Sequence, residues 1–147
     1  MSSGVGKSWY TKYRPRTLEE YSGPQVKSII SKRFQKLEDY PHTIYVRGPR
    51  GTGKTTLCRL LSKYYLCENP KEDGTPCEEC EMCQSINEGL IDGNGIGVEI
   101  PGVQEINATQ DSGKSVIQDI IDDAIQAPIY TNFKVVIFDE CHMITPQ

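Results

Sequence analysis

No apolar run in the 147 residues approaches the roughly 20 needed to cross a bilayer, which excludes a membrane-spanning helix. The first ten residues, MSSGVGKSWY, lack the apolar centre of a secretory signal, so nothing there directs the chain out of the cytosol. No internal repeat is visible, which excludes a solenoid. Histidine is scarce: His42 reads as a loop residue and His142 as a packing one. What is present suits a packed core. Hydrophobic residues make up 37% and charged ones 24%, a balance that argues against disorder, and the length is that of about one domain.

The net charge of −4 conceals an asymmetry. Residues 1–38 carry eight Lys/Arg against three Glu, whereas residues 68–147 carry three Lys against sixteen acids. A basic head on an acidic body permits contact with nucleic acid or phosphate without requiring it, and most of these charges read as solvated faces.

Pro15 and Gly23-Pro24 resist helix, so residues 8–24 read as an extended arm with turns. Residues 26–37 predict a short helix, with Val26, Ile29, Ile30, Phe34 and Leu37 on one stripe. Thr43-Ile44-Tyr45-Val46 has the β-branched and aromatic character of a buried strand. Farther on, Leu57, Leu60, Leu61, Tyr64 and Tyr65 fall at amphipathic-helix spacing. Residues 96–100 and 103–106 compete as the next strand. Ser115, with Gln118 three residues on, predicts a capping box that opens a helix with the stripe Val116, Ile117, Ile120, Ile121, Ala124 and Ile125, stopped by Pro128. Lys134-Val135-Val136-Ile137-Phe138 predicts a strand covered on both faces, ending in Asp139-Glu140. Strands alternating with helices point to an α/β domain with a parallel sheet.

Between the first strand and its helix lies Gly48-Pro49-Arg50-Gly51-Thr52-Gly53-Lys54-Thr55, which satisfies G-x-x-x-x-G-K-[ST]. Glycines let backbone wrap a phosphate chain with several N–H groups pointing inward, and the helix N-terminus near Lys54 adds partial positive charge. Lys54 then reaches the β- and γ-phosphates, and Thr55 sits on Mg²⁺, with Thr56 completing the loop's binding set. The bland alternative, a glycine turn that matches by accident, fits poorly with the flanking strand and helix. Gly6-Lys7-Ser8 imitates the end of such a loop, but Met1 stands where its first glycine belongs and no strand precedes it. Residues 1–8 therefore read as a flexible tail. Asp139-Glu140 after a strand is a weak signal alone and a strong one beside a phosphate loop. Asp139 would help hold Mg²⁺, and Glu140 would orient the attacking water. Asp122-Asp123, in mid-helix, reads as a solvated face.

Cys67, Cys77, Cys80 and Cys83 form C-x9-C-x2-C-x2-C on the polar, turn-rich segment 67–83. Such a set can converge on one tetrahedral ion, and structural Zn²⁺ is the leading reading. An iron–sulfur cluster is the rival, because C-x2-C-x2-C also begins a ferredoxin-type run; Gln84-Ser85-Ile86-Asn87 stands where that run needs its next Cys-Pro. Disulfides suit a reducing compartment poorly. Cys58 and Cys141 read as small packing residues.

These residues resemble the ATPase domain of clamp-loader subunits in the AAA+ superfamily. Trp9-Tyr10-Thr11-Lys12-Tyr13-Arg14-Pro15-Arg16-Thr17-Leu18 is similar to the W-x-x-K-Y-R-P-x-T-L opening of that family. Glu105-Ile106-Asn107-Ala108-Thr109 resembles its E-[IL]-[ND]-A-[AS] segment, and residues 133–143 its F-K-V-x-x-[IL]-D-E-x-H-M. The four-cysteine insert after the phosphate-loop helix looks like that of the gamma/tau subunits of bacterial DNA polymerase III. The resemblance covers nearly the whole chain from Trp9 onward.

It implies a P-loop (AAA+) parallel sheet flanked by helices over residues 9–147, with a zinc-binding insert at 67–83. It implies an ATP-driven switch that helps load a sliding clamp on primed DNA, with other clamp-loader subunits as partners and DNA contacted indirectly, in the cytoplasm of a bacterial cell and from a bacterial or phage gene. Tyr13, Arg14 and Pro15 become candidates for the adenine pocket. The family's sensor threonine, Ser-Arg-Cys arginine finger, helical lid and collar lie beyond the acidic pair. The resemblance therefore implies a sheet incomplete at the C-terminus, in a fragment or a chain completed by another. Two rival readings are a nucleotide- and zinc-binding assembly module without turnover, and another AAA+ DNA-processing ATPase. The cysteine insert argues against the second.

Overall fold

The computed structural model describes residues 14–49, 53–91, 100, 102–107, 114–126 and 133–140. It divides into two compact units, residues 1–95 and 96–147.

The first unit is built on helices. Helix α1 runs Pro24–Arg33, earlier at both ends than the predicted 26–37. Proline is tolerated at the start because its missing N–H would have no helical partner there. Phe34 ends the helix as its C-cap, its N–H held by the Ile30 carbonyl, and its ring packs between Tyr40 and Tyr64 at centroid distances of 4.8 and 5.1 Å. Ile30 and Phe34 are buried, but Ile29 and Leu37 of the predicted stripe are exposed. A single 3-10 turn, Leu37–Asp39, follows. Helix α2, Lys54–Leu66, supplies Leu57, Leu61 and Tyr64 to the same core, as the spacing predicts.

Two expectations fail here. The predicted strand at 43–46 joins no ladder among the described residues, and Ile44 and Tyr45 are 41% and 71% exposed. Its apolar character expresses a capacity to pair, and burial needs a partner strand that is absent among the described residues of this unit. Helix α2, in turn, is not half solvated: Arg59, Ser62 and Lys63 on its polar side are all buried. The segment that follows covers them, through the short helix α3, Glu81–Ile86, and the π-helical turn Asn87–Ile91.

The second unit is a parallel pair. Strand β1, Val103–Asn107, lies beside β2, Val135–Asp139, in the register Val103↔Val135 to Asn107↔Asp139. Helix α4, Lys114–Ile125, stands between them in sequence, as a parallel crossover requires. Of the two competing strand candidates, 103–106 falls within β1, whereas residues 96–99 of the other lie outside the described residues and Ile100 makes an isolated bridge to Val103. The helix runs from Lys114, so Ser115 lies within it and not at its N-cap as the capping box predicts, and Gln118 Nε2 donates forward to Asp122 Oδ1 at 2.9 Å. Nor is β2 covered on both faces: Ile137 is buried, while Val135, Val136, Phe138 and Asp139 are half-buried.

Candidate functional site

The four cysteines are brought together by the ends of two helices. Cys67 is the C-cap of α2, its N–H bonded to the Lys63 carbonyl at 2.9 Å. Cys80 is the N-cap of α3, and its Sγ accepts the Cys83 N–H at 3.4 Å in place of the usual hydroxyl or carboxylate. Cys77 joins them across the turn: its N–H donates to Cys67 Sγ at 3.3 Å, and its own Sγ accepts from Cys80 N at 3.2 Å and Glu79 N at 3.4 Å. All four Sγ atoms lie within 4.8 Å of one another, and all four cysteines are free of disulfides. A tetrahedral ion with sulfurs at about 2.3 Å separates them by about 3.8 Å, so a small contraction converts the cluster into a ligand shell.

Electrostatics differ among the four. Burial alone would raise the Cys77 thiol, yet the N–H groups of Glu79 and Cys80 and the neighbouring thiols outweigh it and bring it down to about 7. Burial pushes Cys83 well above the ordinary range and also raises Cys67. The donor set fits a metal that takes thiolate ligands and supplies its own positive charge; that charge would offset the burial of sulfur anions.

The segment carrying these cysteines is fastened to the first unit. Lys71 N donates to the Thr75 carbonyl and Gly74 N to the Lys71 carbonyl, both at 2.9 Å, closing a tight turn. Gly74 has φ +84, and a Cβ there would stand 2.0 Å from the Phe34 carbonyl oxygen. No larger residue fits between this turn and the end of α1.

Of the predicted phosphate-binding residues, Arg50, Gly51 and Thr52 lie outside the described residues, as does Tyr13. Gly48 and Pro49 lead into the loop, and Gly53 (φ +81) is the N-cap of α2, with no side-chain bond of its own. Lys54 folds back along the loop, donating to the Gly48 carbonyl at 2.5 Å and the Pro49 carbonyl at 3.3 Å. Thr55 and Thr56 occupy the first turn of α2, half-buried. The Tyr21 ring lies against Gly53, where a Cβ would meet Cε2 at 3.2 Å. Arg14 and Pro15 are half-buried in the arm before it.

Asp139 and Glu140 belong to the second unit. Asp139 ends β2 opposite Asn107, so both side chains stand at the carboxyl edge of the parallel pair. Its Oδ1 accepts the Glu140 N–H at 3.0 Å, and Glu140 has φ +57, a left-handed conformation that bends the chain sharply off the strand. Cys141 and His142 lie outside the described residues. Cys58 is half-buried in α2.

One cluster escapes the sequence pattern altogether. Lys63 is 1% exposed, and its ammonium donates to Glu78 Oε1 and Oε2 at 2.8 and 2.9 Å, to Asn87 Oδ1 at 3.0 Å and to the Arg16 carbonyl. Beside it, Arg59 Nη1 donates to the Leu90 carbonyl at 2.7 Å. Spacing on α2 offers no signal for either, since their partners lie 15 to 47 residues away.

Residues 24–147 match the family described as DNA polymerase III, delta subunit, and the chain belongs to that family. It is 35% identical over 143 residues to the DNA polymerase III subunit gamma/tau of Mycoplasma pneumoniae, covering 96% of this chain and 19% of that protein. It is 34% identical over 138 residues to the DNA polymerase III subunit tau of Bacillus subtilis, with 92% and 22% covered. To the gamma subunit of Buchnera aphidicola subsp. Schizaphis graminum it is 32% identical over 135 residues, with 91% and 34% covered. The chain thus spans between a fifth and a third of the length of these relatives. Among the described residues no helix is long and apolar enough to cross a membrane.

Proposed function

We propose that this chain is the nucleotide-gripping part of an AAA+ clamp-loader ATPase, acting in DNA replication within an oligomer of clamp-loader subunits on a sliding clamp and primed DNA. The observation that carries the reading is the G-x-x-x-x-G-K-T loop, with Lys54 opening α2 and its ammonium lying along the loop carbonyls. Each part of that arrangement suits a polyphosphate. The first N–H groups of α2 and the dipole behind them favour an anion, and Lys54 can leave two neutral carbonyls for charged phosphate oxygens. Thr55 has the hydroxyl for Mg²⁺, and Asp139 is the acidic partner in the same role. Glu140 orients and polarises water for attack on the γ-phosphate, while Lys54 steadies the developing charge. Bound Mg²⁺ would supply further neutralisation of the phosphates. Tyr13, Arg14 and Pro15 are proposed to flank the adenine, and Cys67, Cys77, Cys80 and Cys83 to hold a structural zinc.

The test is direct. Binding of Mg·ATP to the chain is measured by calorimetry, with and without Lys54→Ala. Binding that Lys54→Ala leaves unchanged removes the proposed site. Binding without turnover in the assembled complex favours the assembly-module reading instead.

A further inference from the structure

Between the cysteine cluster and the arm stands a buried polar relay that neither site requires for its own chemistry. Glu78 lies inside the Cys77–Cys80 turn and has φ +62, a conformation that a glutamate keeps only when its surroundings impose it. N–H···S bonds hold the backbone on both sides of it, from Cys77 to Cys67 and from Glu79 and Cys80 to Cys77, and the Glu78 backbone itself bonds to Cys83. The result is a carboxylate aimed inward. Both its oxygens accept from Lys63, and Oε2 also accepts from Asn87 Nδ2 at 3.0 Å. Lys63 completes its shell with the Arg16 carbonyl, 47 residues before it.

Arg16 opens a small turn of the arm. Its N–H donates to Glu20 Oε2 at 2.8 Å, Glu20 N donates to Thr17 Oγ1 at 3.3 Å, and Tyr21 N to the Leu18 carbonyl at 3.1 Å. That turn ends in Tyr21, whose ring rests on Gly53 at the mouth of α2. A continuous path of hydrogen bonds and contact therefore runs from the cysteines through Glu78, Lys63 and Arg16 to the end of the phosphate loop.

We infer that Glu78 is a positioning residue through which metal on the four cysteines fixes the arm, and with it Tyr21, against the phosphate loop. This rests on the metal reading above and extends it to a consequence at the other site. Thiolates on a metal are stronger acceptors than thiols, so occupancy tightens the N–H···S bonds that hold Glu78 in place. When they slacken, Glu78 leaves its left-handed conformation, Lys63 is left as a buried ammonium short of its counter-charge, and the Arg16 carbonyl loses its donor.

Amide hydrogen exchange on the 147-residue chain tests this without nucleotide. In zinc-loaded protein the hydrogen-bonded amides of Arg16, Glu20 and Tyr21 are expected to exchange slowly. Removing zinc with a chelator is expected to speed them about tenfold or more, together with those of residues 77–87. Glu78→Gln with zinc bound is expected to speed the arm amides alike while the cysteine-turn amides stay slow, and Co²⁺ in place of zinc should keep its tetrahedral absorption bands. Glu79→Gln, in the same turn but without a role in the relay, should leave the arm slow. Arm amides that stay slow after chelation, or in zinc-bound Glu78→Gln, overturn the inference alone. If Glu78→Gln binds no zinc, the chelation experiment on the unaltered chain decides. Freshly reduced protein that takes up no zinc or cobalt overturns both the inference and the metal reading.

Discussion

Gly74 and Phe34 touch backbone to backbone: a Cβ on Gly74 would lie 2.0 Å from the Phe34 carbonyl oxygen. The contact docks the cysteine-bearing segment onto the end of α1, and it exists only because Gly74 has no side chain and accepts φ +84. Gly74→Ala must shift the turn and also adopt a left-handed backbone, which alone costs about 1–2 kcal/mol. The expected outcome is a melting temperature lower by roughly 5 °C or more, read by circular dichroism. An unchanged melt would show that the segment does not dock there.

Gly53 presents the same chemistry at the other site. Its φ of +81 and the Tyr21 ring at 3.2 Å from a Cβ make Gly53→Ala strained, and the strain falls at the start of α2. Both stability and Mg·ATP affinity should drop. Lys54→Ala should instead leave the melt in place and weaken Mg·ATP by roughly 10- to 100-fold, the worth of a charge-assisted contact to phosphate. Equal effects of the two on stability would contradict the division between backbone and charge.

Removing Glu78 strands Lys63. Glu78→Ala is expected to cost about 3 kcal/mol in urea denaturation, the lower end for breaking a buried pair, because Glu78 itself is 28% exposed. Adding Lys63→Met to it should recover part of that loss, since no charge is then left buried. A double variant less stable than the single one would show that Lys63 packs through its stem rather than its charge.

Metal analysis is expected to find one zinc per chain, lost in Cys80→Ser and in Cys83→Ser. Iron in freshly purified protein would turn the assignment to the rival cluster.

Alkaline pH offers a further handle. Burial first, and then the charges of Asp73 and other neighbours, raises the Tyr64 phenol to about 12; burial and Tyr40 do the same for Tyr65. A raised folded value means the native state holds these protons more tightly than the unfolded chain. Their contribution is whole below the ordinary value near 10 and is lost as pH rises towards 12. Melting temperature should hold to about pH 10 and then fall, with Tyr64 and Tyr65 ionising late by absorbance near 295 nm. Ordinary ionisation of all tyrosines in folded protein would contradict this.

The sequence was most legible where local spacing and packing agree. Leu57, Leu61 and Tyr64 repeat at the helical period and reach one core, and the cysteine spacing foretells a cluster that two helix ends then assemble. It misled where burial depends on a partner element. Thr43-Ile44-Tyr45-Val46 has every strand preference, yet Tyr45 is 71% exposed, because strand preference measures fitness for a neighbour and not the neighbour's presence. Ser115 and Gln118 match a cap, but Gln118 finds Asp122 one turn ahead and bonds there. Lys63 reads as a solvated lysine in any window around it. Only contacts with Arg16, Glu78 and Asn87, all distant in sequence, reveal it as interior.

That lysine also bears on the order of folding. One nitrogen closes loops of 15, 24 and 47 residues at once, and closures of that span form after the local turns of α2 and α3. Contacts absent from the transition state govern how fast the native state is left, and hardly how fast it is reached. In Glu78→Ala the unfolding limb of a chevron should therefore rise while the refolding limb stays, so that the relay sets the lifetime of the folded chain.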